Sequence, residues 1–171
     1  MKTIAKFEKV SFEQFKKDYL KHINDLASDS EIKKAYDKIE LPQRATKGSA
    51  GYDFKMPVEV IMQKDTPYII PTGIRCYISD GWVLKLYPRS GLGFKKGFKL
   101  LNTVGIIDSD YYNSDNEGHI MAKASWEIGD YDLCLEQGSG FMQGVFVEYG
   151  ITVDDEANGI RNGGFGSTDS Q

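Results

Sequence analysis

The residues best suited to chemistry are concentrated in residues 101–111. Asn102 can hydrogen-bond the edge of a base, and Gly105 lets the backbone approach a ligand closely or turn tightly. Asp108 follows a pair of isoleucines, and Tyr111 adds an aromatic ring three residues later. If this stretch forms a β-hairpin, an amide, a carboxylate and a ring line one small pocket. The alternative interpretation is an ordinary hairpin with a polar turn.

A second group of candidate ligand residues lies in the glycine-rich segment 154–171, whose composition predicts a flexible C-terminal arm. Within it, Arg161 supplies a guanidinium, Ser167 and Thr168 supply hydroxyls, and Phe165 supplies a ring between glycines. Glycine-rich backbone combined with hydroxyls and a basic residue is what polyphosphate recognition needs. The same composition is also typical of a tail without a ligand.

The elements that must position these residues are predicted to be mainly β-strands. Apolar and other residues alternate in five short runs, residues 58–63, 74–78, 82–87, 131–136 and 145–149. Frequent glycines separate these runs, and no strand–helix alternation is present. The pattern is typical of an antiparallel sandwich or barrel-like fold.

Residues 11–40 predict a small helical insertion ahead of most of this β region. Ser11 with Gln14 three residues later fits a capping box, and apolar residues then recur at helical spacing. A second helix is predicted to start at Ser30 and to end before Pro42. We expect the pair to pack on the core; a surface for a protein partner is the alternative.

Length and composition favour one domain over residues 1–171 that can bury a core. The net charge of -4 argues against direct binding of nucleic acid through its phosphates. Cys76 and Cys134 have no cysteine or histidine partner at metal-ligand spacing, so reduced thiols in a cytoplasm are expected. No apolar run reaches membrane-spanning length, and no membrane partner is expected.

Five separated segments resemble, in order and spacing, the five motifs of the trimeric dUTPase (dUTP pyrophosphatase) family. They are residues 50–54 (AGYDF), 88–92 (PRSGL), 102–111 (NTVGIIDSDY), 138–146 (GSGFMQGVF) and 161–168 (RNGGFGST). The resemblance implies a jelly-roll-like β fold, a homotrimer, and Mg²⁺-dependent hydrolysis of dUTP to dUMP and pyrophosphate. That reaction keeps uracil out of DNA and supplies dUMP for dTMP synthesis.

The resemblance also implies roles for the residues of the predicted hairpin. Asp108 matches the aspartate that activates the attacking water. Asn102 matches a uracil-contacting position, and Gly105 belongs to the same substrate-binding hairpin. Tyr111 matches the ring under the deoxyribose, which leaves no room for a 2′-hydroxyl.

Other matches concern the phosphates and the metal ion. Arg89, Ser90 and Gly91 match the phosphate-binding second motif, and Gln143 matches the phosphate-side glutamine of the fourth. Asp53 matches the first-motif aspartate that supports Mg²⁺ through water. These implied roles need a hydrated Mg²⁺ rather than a cage of protein ligands.

The arm carries the remaining implied contacts with the substrate. Arg161 and the glycines, including Gly166, match the fifth motif, which closes over the nucleotide. Phe165 matches the aromatic ring that stacks on uracil, while Ser167 and Thr168 match residues that meet the γ-phosphate.

The chain departs from the family pattern in three places. The fourth motif usually contains an arginine, and none occurs in residues 138–143. Residues 112–116 extend the third motif, and residues 11–40 are additional. Two alternatives remain open: a dCTP deaminase-like nucleotide enzyme with the same fold, or a nucleotide-dependent regulatory protein that binds a repressor partner through the helical insertion.

Overall fold

The chain forms a mainly antiparallel β fold with three α-helices; the structure is a computed structural model that describes residues 2–157, 159 and 163. The strands are β1 (Ala5–Lys9), β2 (Gln43–Arg44), β3 (Tyr52–Lys55), β4 (Val60–Met62), β5 (Tyr68–Pro71), β6 (Ile74–Ile78), β7 (Trp82–Pro88), β8 (Lys99–Leu100), β9 (Gly105–Ile107), β10 (Met121–Ser125), β11 (Leu133–Leu135) and β12 (Gly140–Glu148). The helices are α1 (Phe12–His22), α2 (Asp29–Asp37), α3 (Ser90–Lys96) and a 3-10 helix (Ser109–Asn113). The predicted fold class is confirmed.

The largest sheet has the strand order β2-β3-β12-β7-β9. A second sheet has the order β5-β10-β8, and β1-β6 and β11-β4 form two-stranded sheets. All the recorded pairings are antiparallel. Strand β7 is an interior strand of the largest sheet, because β12 pairs on one side of it and β9 on the other.

The helical insertion contributes to the hydrophobic core that the strands share. Phe15 of α1 and Ile32 of α2 are fully buried, and both belong to the same apolar cluster as Phe54 and Trp126. A methyl group on Gly73, the residue before β6, would overlap the side chain of Ile39. The predicted packing of residues 11–40 on the core is therefore confirmed.

The starts of the two helices differ in detail from the sequence prediction. Ser11 caps α1 by accepting from the backbone of Gln14, but the reciprocal bond of a capping box is absent because the backbone N–H of Ser11 donates to Glu117. The second helix begins at Asp29 rather than Ser30. Ser28 forms a full capping box with Glu31, which satisfies two backbone donors at once and fixes that earlier start.

Candidate active site

Three predicted site residues come together where β3, β7 and β12 lie side by side. Gln143 of β12 pairs with Asp53 of β3 on one side and with Tyr87 of β7 on the other. Arg89 directly follows β7, and its Nε lies 3.4 Å from Oδ1 of Asp53. The Arg89 side chain is 45% exposed, so its guanidinium remains available to a ligand from solvent. A cation, a carboxylate and an amide thus share one end of the sheet.

Two glycines make room for these side chains. A methyl group on Gly51 would come within 2.5 Å of Oε1 of Gln143, and one on Gly140 would overlap the guanidinium of Arg89. Gly140 belongs to the segment that lacks the usual fourth-motif arginine. The cation beside this segment is instead Arg89. Its side chain occupies the space that a side chain at position 140 would fill.

The second motif continues into a short helix on the protein surface. Ser90 and Gly91 are exposed residues in the first turn of α3, and a methyl group on Gly91 would meet open space. Together with Pro88, Arg89 and Phe94, Ser90 lines an open depression of about 300 Å³. The structure therefore places Arg89, Ser90 and Gly91 consecutively on an accessible surface, as their predicted phosphate-binding role requires.

The stretch predicted as a β-hairpin instead connects two sheets: β8 pairs with β10 and β9 pairs with β7, and the two strands do not pair with each other. Asn102 is exposed in the turn, and Thr103 has a backbone φ of 65°, which is unfavourable for a β-branched residue. Gly105 is buried opposite Leu86, and a methyl group on it would come within 3.0 Å of the Leu86 Cβ. A glycine is therefore required here for β9 to pack against Leu86 of β7. Contact of Gly105 with a substrate stays a prediction.

Tyr111 lies in the 3-10 helix that follows Asp108 and is only 5% exposed. Its hydroxyl donates a hydrogen bond to the carbonyl oxygen of His119 (2.8 Å) and accepts one from Nδ2 of Asn116 (2.8 Å). The ring is thus fixed by its own chain, and its role beneath a sugar stays a prediction.

Asp108 and the Arg89 cluster lie toward opposite ends of β7. Asp108 follows Ile107, which pairs with Leu84, whereas Arg89 lies five residues beyond Leu84. At about 3.3 Å per strand residue, this places the two positions roughly 16 Å or more apart within one chain. A single small substrate group cannot contact the ends of both side chains at that separation. The structure brings Asp53, Arg89 and Gln143 together but keeps Asp108 apart from them.

The extended third motif is a folded loop rather than an open insertion. Glu117 and Gly118 both have positive φ angles, 58° and 66°. A methyl group on Gly118 would lie 2.7 Å from the carbonyl oxygen of Tyr111, so this glycine lets the loop close beneath that residue. Tyr112 stacks on the guanidinium of Arg75, with 3.6 Å between the Arg75 Cζ and the ring centre.

A buried polar pair that sequence reasoning missed connects this loop to α1. His119 and Asp18 are 0% and 5% exposed, and His119 Nδ1 lies 2.5 Å from Oδ2 of Asp18. Burial raises the pKa of Asp18, but hydrogen bonds from His119 and Gln14 outweigh that effect, and the net shift is downward. In the sequence, only a histidine directly after a glycine, between the third and fourth motifs, could have drawn attention to it.

The predicted arm residues Arg161, Phe165, Gly166, Ser167 and Thr168 lie outside the described residues. Their roles stay predictions. In the part of the chain that the structure describes, no helix has the length and apolar character needed to cross a membrane.

The donor set fits a hydrated Mg²⁺ that arrives with a polyphosphate. Among residues 2–157, 159 and 163, no three His, Cys, Asp or Glu side chains form a metal cage. Mg²⁺ does not need one, because it usually keeps several waters and relies on one or two carboxylates plus substrate phosphates. The carboxylate of Asp53 is 25% exposed beside Arg89, a suitable place for an indirect ligand.

An exposed arginine, a carboxylate and an amide at one end of an antiparallel sheet form a site suited to an anionic ligand. The chain belongs to the dUTPase family, whose sequence model matches residues 37–168. That match includes all five segments recognised in the sequence.

Individual relatives agree with this assignment. A deoxyuridine 5'-triphosphate nucleotidohydrolase of Lactococcus lactis is 41% identical over 133 residues, covering 76% of this chain and 88% of that protein. One from Haemophilus ducreyi is 36% identical over 160 residues, covering 89% of this chain and 99% of that protein. The crystal structure of dUTPase from Streptococcus mutans is similar with a TM-score of 0.64 at 33% identity, covering 87% of this chain and 98% of that one.

A more distant structure shows the same fold. The dUTPase from phage phi11 of S. aureus has a TM-score of 0.62 at 16% identity and covers 92% of this chain and 98% of that one. The fold is therefore kept at an identity where side chains are mostly replaced.

Proposed function

We infer that the chain hydrolyses dUTP to dUMP and pyrophosphate. The observation that carries this inference is the membership of the dUTPase family over residues 37–168, a range that contains every predicted site residue. The Arg89–Asp53–Gln143 cluster supports it from the structure, because a triphosphate needs fixed positive charge and polar donors at one place.

Hydrolysis of a triphosphate depends on positioning and on neutralising charge, with little covalent chemistry for the protein to do. Arg89 binds phosphate oxygens, and the Ser90 hydroxyl donates to them from the first turn of α3. Gln143 adds an amide donor from β12. Asp53 would hold Mg²⁺ through water, and the bound ion would supply further positive charge across the phosphates.

Asp108 acts as the general base in this proposal. Its carboxylate orients a water molecule and removes its proton as the water attacks the α-phosphorus, and the bond from that phosphorus to the bridging oxygen breaks to release pyrophosphate. A positioned carboxylate base contributes ~10²–10⁴-fold in rate. No nucleophilic side chain is needed, so Ser90 is a phosphate ligand rather than a nucleophile.

In this proposal the base and the sugar are selected by residues 102–111. Uracil presents an acceptor, a donor and an acceptor, and Asn102 with the neighbouring backbone can match that order. Cytosine would leave buried polar groups unpaired, which is a large penalty. The Tyr111 ring would occupy the space of a 2′-hydroxyl, and the residues of the arm would close over the nucleotide.

We propose that the active protein is a homotrimer with sites between chains. The separation of Asp108 from Arg89 along β7 supports this, because a neighbouring chain can bring its own Asp108 to the Arg89 cluster. Exposed apolar side chains after β12, Ile151 and Val153, are further candidates for contact with a neighbour. Binding of a separate protein through residues 11–40 stays a prediction.

A pyrophosphate-release assay across the deoxynucleoside and ribonucleoside triphosphates tests the function. We expect turnover of dUTP, with much slower turnover of dCTP, dTTP and UTP. Ammonia release from dCTP would instead indicate the deaminase-like enzyme. Lack of pyrophosphate release from dUTP by folded protein, with Mg²⁺ present, would contradict the proposal.

A further inference from the structure

The helical insertion is attached to the loop below Tyr111 by buried hydrogen bonds. Asp18 of α1 is the acceptor for two side chains at one oxygen: its Oδ2 lies 2.5 Å from His119 Nδ1 and 2.7 Å from Gln14 Nε2. Asp18 and His119 are almost fully buried. A buried carboxylate with these donors is satisfied, and removing either partner leaves a polar group unpaired.

The hydrogen bonds define which nitrogen of His119 carries the proton. The backbone N–H of Gly73 donates to Nε2 at 2.8 Å, so Nε2 is an acceptor without a proton. Nδ1 therefore carries the proton and donates it to Asp18. Because both nitrogens are hydrogen-bonded, the ring cannot flip without breaking the hydrogen bond to Asp18 of α1 and the one to Gly73, the residue before β6.

The backbone of His119 in turn holds Tyr111. Its carbonyl oxygen accepts the hydrogen bond from the Tyr111 hydroxyl at 2.8 Å. The next residue is also fixed: the Ile120 N–H donates to Ile74 (2.9 Å), and the Thr72 hydroxyl donates to the Ile120 carbonyl oxygen (2.6 Å). His119 thus contacts α1 through its side chain and the Tyr111 hydroxyl through its backbone carbonyl.

A second contact between α1 and the loop lies next to the first. The backbone N–H and the hydroxyl of Ser11 donate to the two carboxylate oxygens of Glu117, at 2.7 Å and 2.5 Å. Glu117 has a φ of 58°, which is uncommon for a residue with a side chain. The hydrogen bonds from Ser11 help to hold that conformation two residues before His119.

We propose that Asp18 and His119 are positioning residues that fix Tyr111 and thereby set the discrimination between deoxyribose and ribose. The proposal rests on the proposed function, in which the Tyr111 ring fills the space of a 2′-hydroxyl. It gives the helical insertion a role in specificity, although the insertion contributes no residue to the five motifs.

The substitution Asp18→Leu tests the link because leucine has the same number and branching of side-chain heavy atoms as aspartate and lacks the acceptor oxygens. We expect the ratio of kcat/KM for dUTP over UTP to fall about tenfold, the factor that corresponds to one buried hydrogen bond. Asp18→Asn keeps an acceptor oxygen and should retain most of the selectivity. Asp25→Leu is the matched control, since Asp25 is exposed on the turn between the same two helices.

A second measurement does not depend on activity. Amide hydrogen exchange of Glu117, Gly118 and Ile120 should be faster in Asp18→Leu than in Asp25→Leu, while exchange in β12 stays the same. If Asp18→Leu does not fold, the pair His119→Asn and His119→Gln replaces it. Asparagine can keep the donor toward Asp18 and should retain selectivity, whereas glutamine keeps an acceptor toward Gly73 and should lose it.

The outcomes separate this proposal from the proposed function. A lower melting temperature with an unchanged dUTP-to-UTP ratio would overturn the proposal and leave Asp18 and His119 as a structural pair. Wild-type protein that hydrolyses neither nucleotide would contradict the proposed function. In that case the exchange data still decide the link: faster exchange near His119 supports it, and unchanged exchange overturns it.

Discussion

The side chain of Arg89 lies over Gly140, so that a methyl group at position 140 would overlap the guanidinium and come within 3.0 Å of the Arg89 Cδ. Arg89 belongs to the second motif of the dUTPase family and Gly140 to the fourth. Their contact explains how a cation lies beside a fourth motif that has no arginine of its own. It also makes the position of Arg89 sensitive to the smallest change at residue 140.

We expect Gly140→Ala to raise the KM for dUTP by about tenfold or more, because the displaced guanidinium loses charge-assisted hydrogen bonds to phosphate. The melting temperature should change little, since the overlapped atoms belong to the end of a flexible side chain. Steady-state kinetics and thermal denaturation measure the two effects. Gly48→Ala is the control, as nothing lies within 4 Å of the added methyl group. An unchanged KM in Gly140→Ala would argue against Arg89 as a phosphate ligand.

We expect Asp108→Asn to lower kcat by about 10²–10⁴-fold, the usual contribution of a general base. The shape of the side chain is kept, so the affinity for a non-hydrolysable dUTP analogue should stay within a few-fold when measured by calorimetry. Asp110→Asn, an exposed neighbour, provides the control. Retention of more than about a tenth of the wild-type rate would show that Asp108 is not the base.

Strands with clear alternation could be predicted from the sequence, and the shortest ones could not. The run at residues 74–78 became β6 with the expected burial of Ile74, Cys76 and Ile78. In contrast, β8 and β9 have only two and three residues. Such lengths are too short to show a period of two, so only pairing with β10 and β7 defines these strands.

The sequence likewise predicted some residues of the candidate site and missed other contacts. The motif resemblance selected Asp53, Arg89 and Gln143, which the sheet brings together. The bond between Asp18 and His119 was missed because it joins residues 101 positions apart and follows no local pattern. The separation of Asp108 from Arg89 also depends on strand register, which the motifs alone do not define.

The link between α1 and the third motif should weaken in acid. The pKa of Asp18 is lowered because hydrogen bonds from His119 and Gln14 outweigh the effect of burial. The pKa of Glu117 is also lowered, because hydrogen bonds from Ser11 and the positive charge of Arg75 outweigh the effect of its burial. A carboxyl group with a lowered pKa stabilises the folded state above its unfolded pKa, about 3.9–4.3, and loses that effect as the pH falls through the folded pKa.

We therefore expect wild-type protein to have a higher melting temperature than Asp18→Asn at pH 7, and the difference to shrink as the pH falls below about 4. Thermal denaturation of both proteins between neutral and acid pH measures it. Asp25→Asn, which changes an exposed carboxylate on the same helical pair, should follow the wild-type curve. A difference that stays constant down to acid pH would contradict the contribution of the Asp18 carboxylate.

Sites shared between chains can be tested by mixing two inactive variants. Arg89→Ala and Asp108→Asn should each have little activity alone, because every site lacks one of the two groups. After unfolding, mixing in equal amounts and refolding, a site that takes Arg89 from one chain and Asp108 from its neighbour finds both intact in about a quarter of cases. A site built within one chain finds both intact in none.

The double variant Arg89→Ala/Asp108→Asn, mixed equally with wild-type chains, gives the matched control. Shared sites should then retain about a quarter of the wild-type activity, whereas sites within one chain should retain about half, since each wild-type chain keeps a complete site. The two mixtures therefore predict equal activities for shared sites and unequal activities for separate ones. The opposite result is no activity from the mixed single variants together with half activity in the control. Arg89 and Asp108 of one chain would then act in the same site. Their separation of roughly 16 Å along β7 would not prevent this joint action.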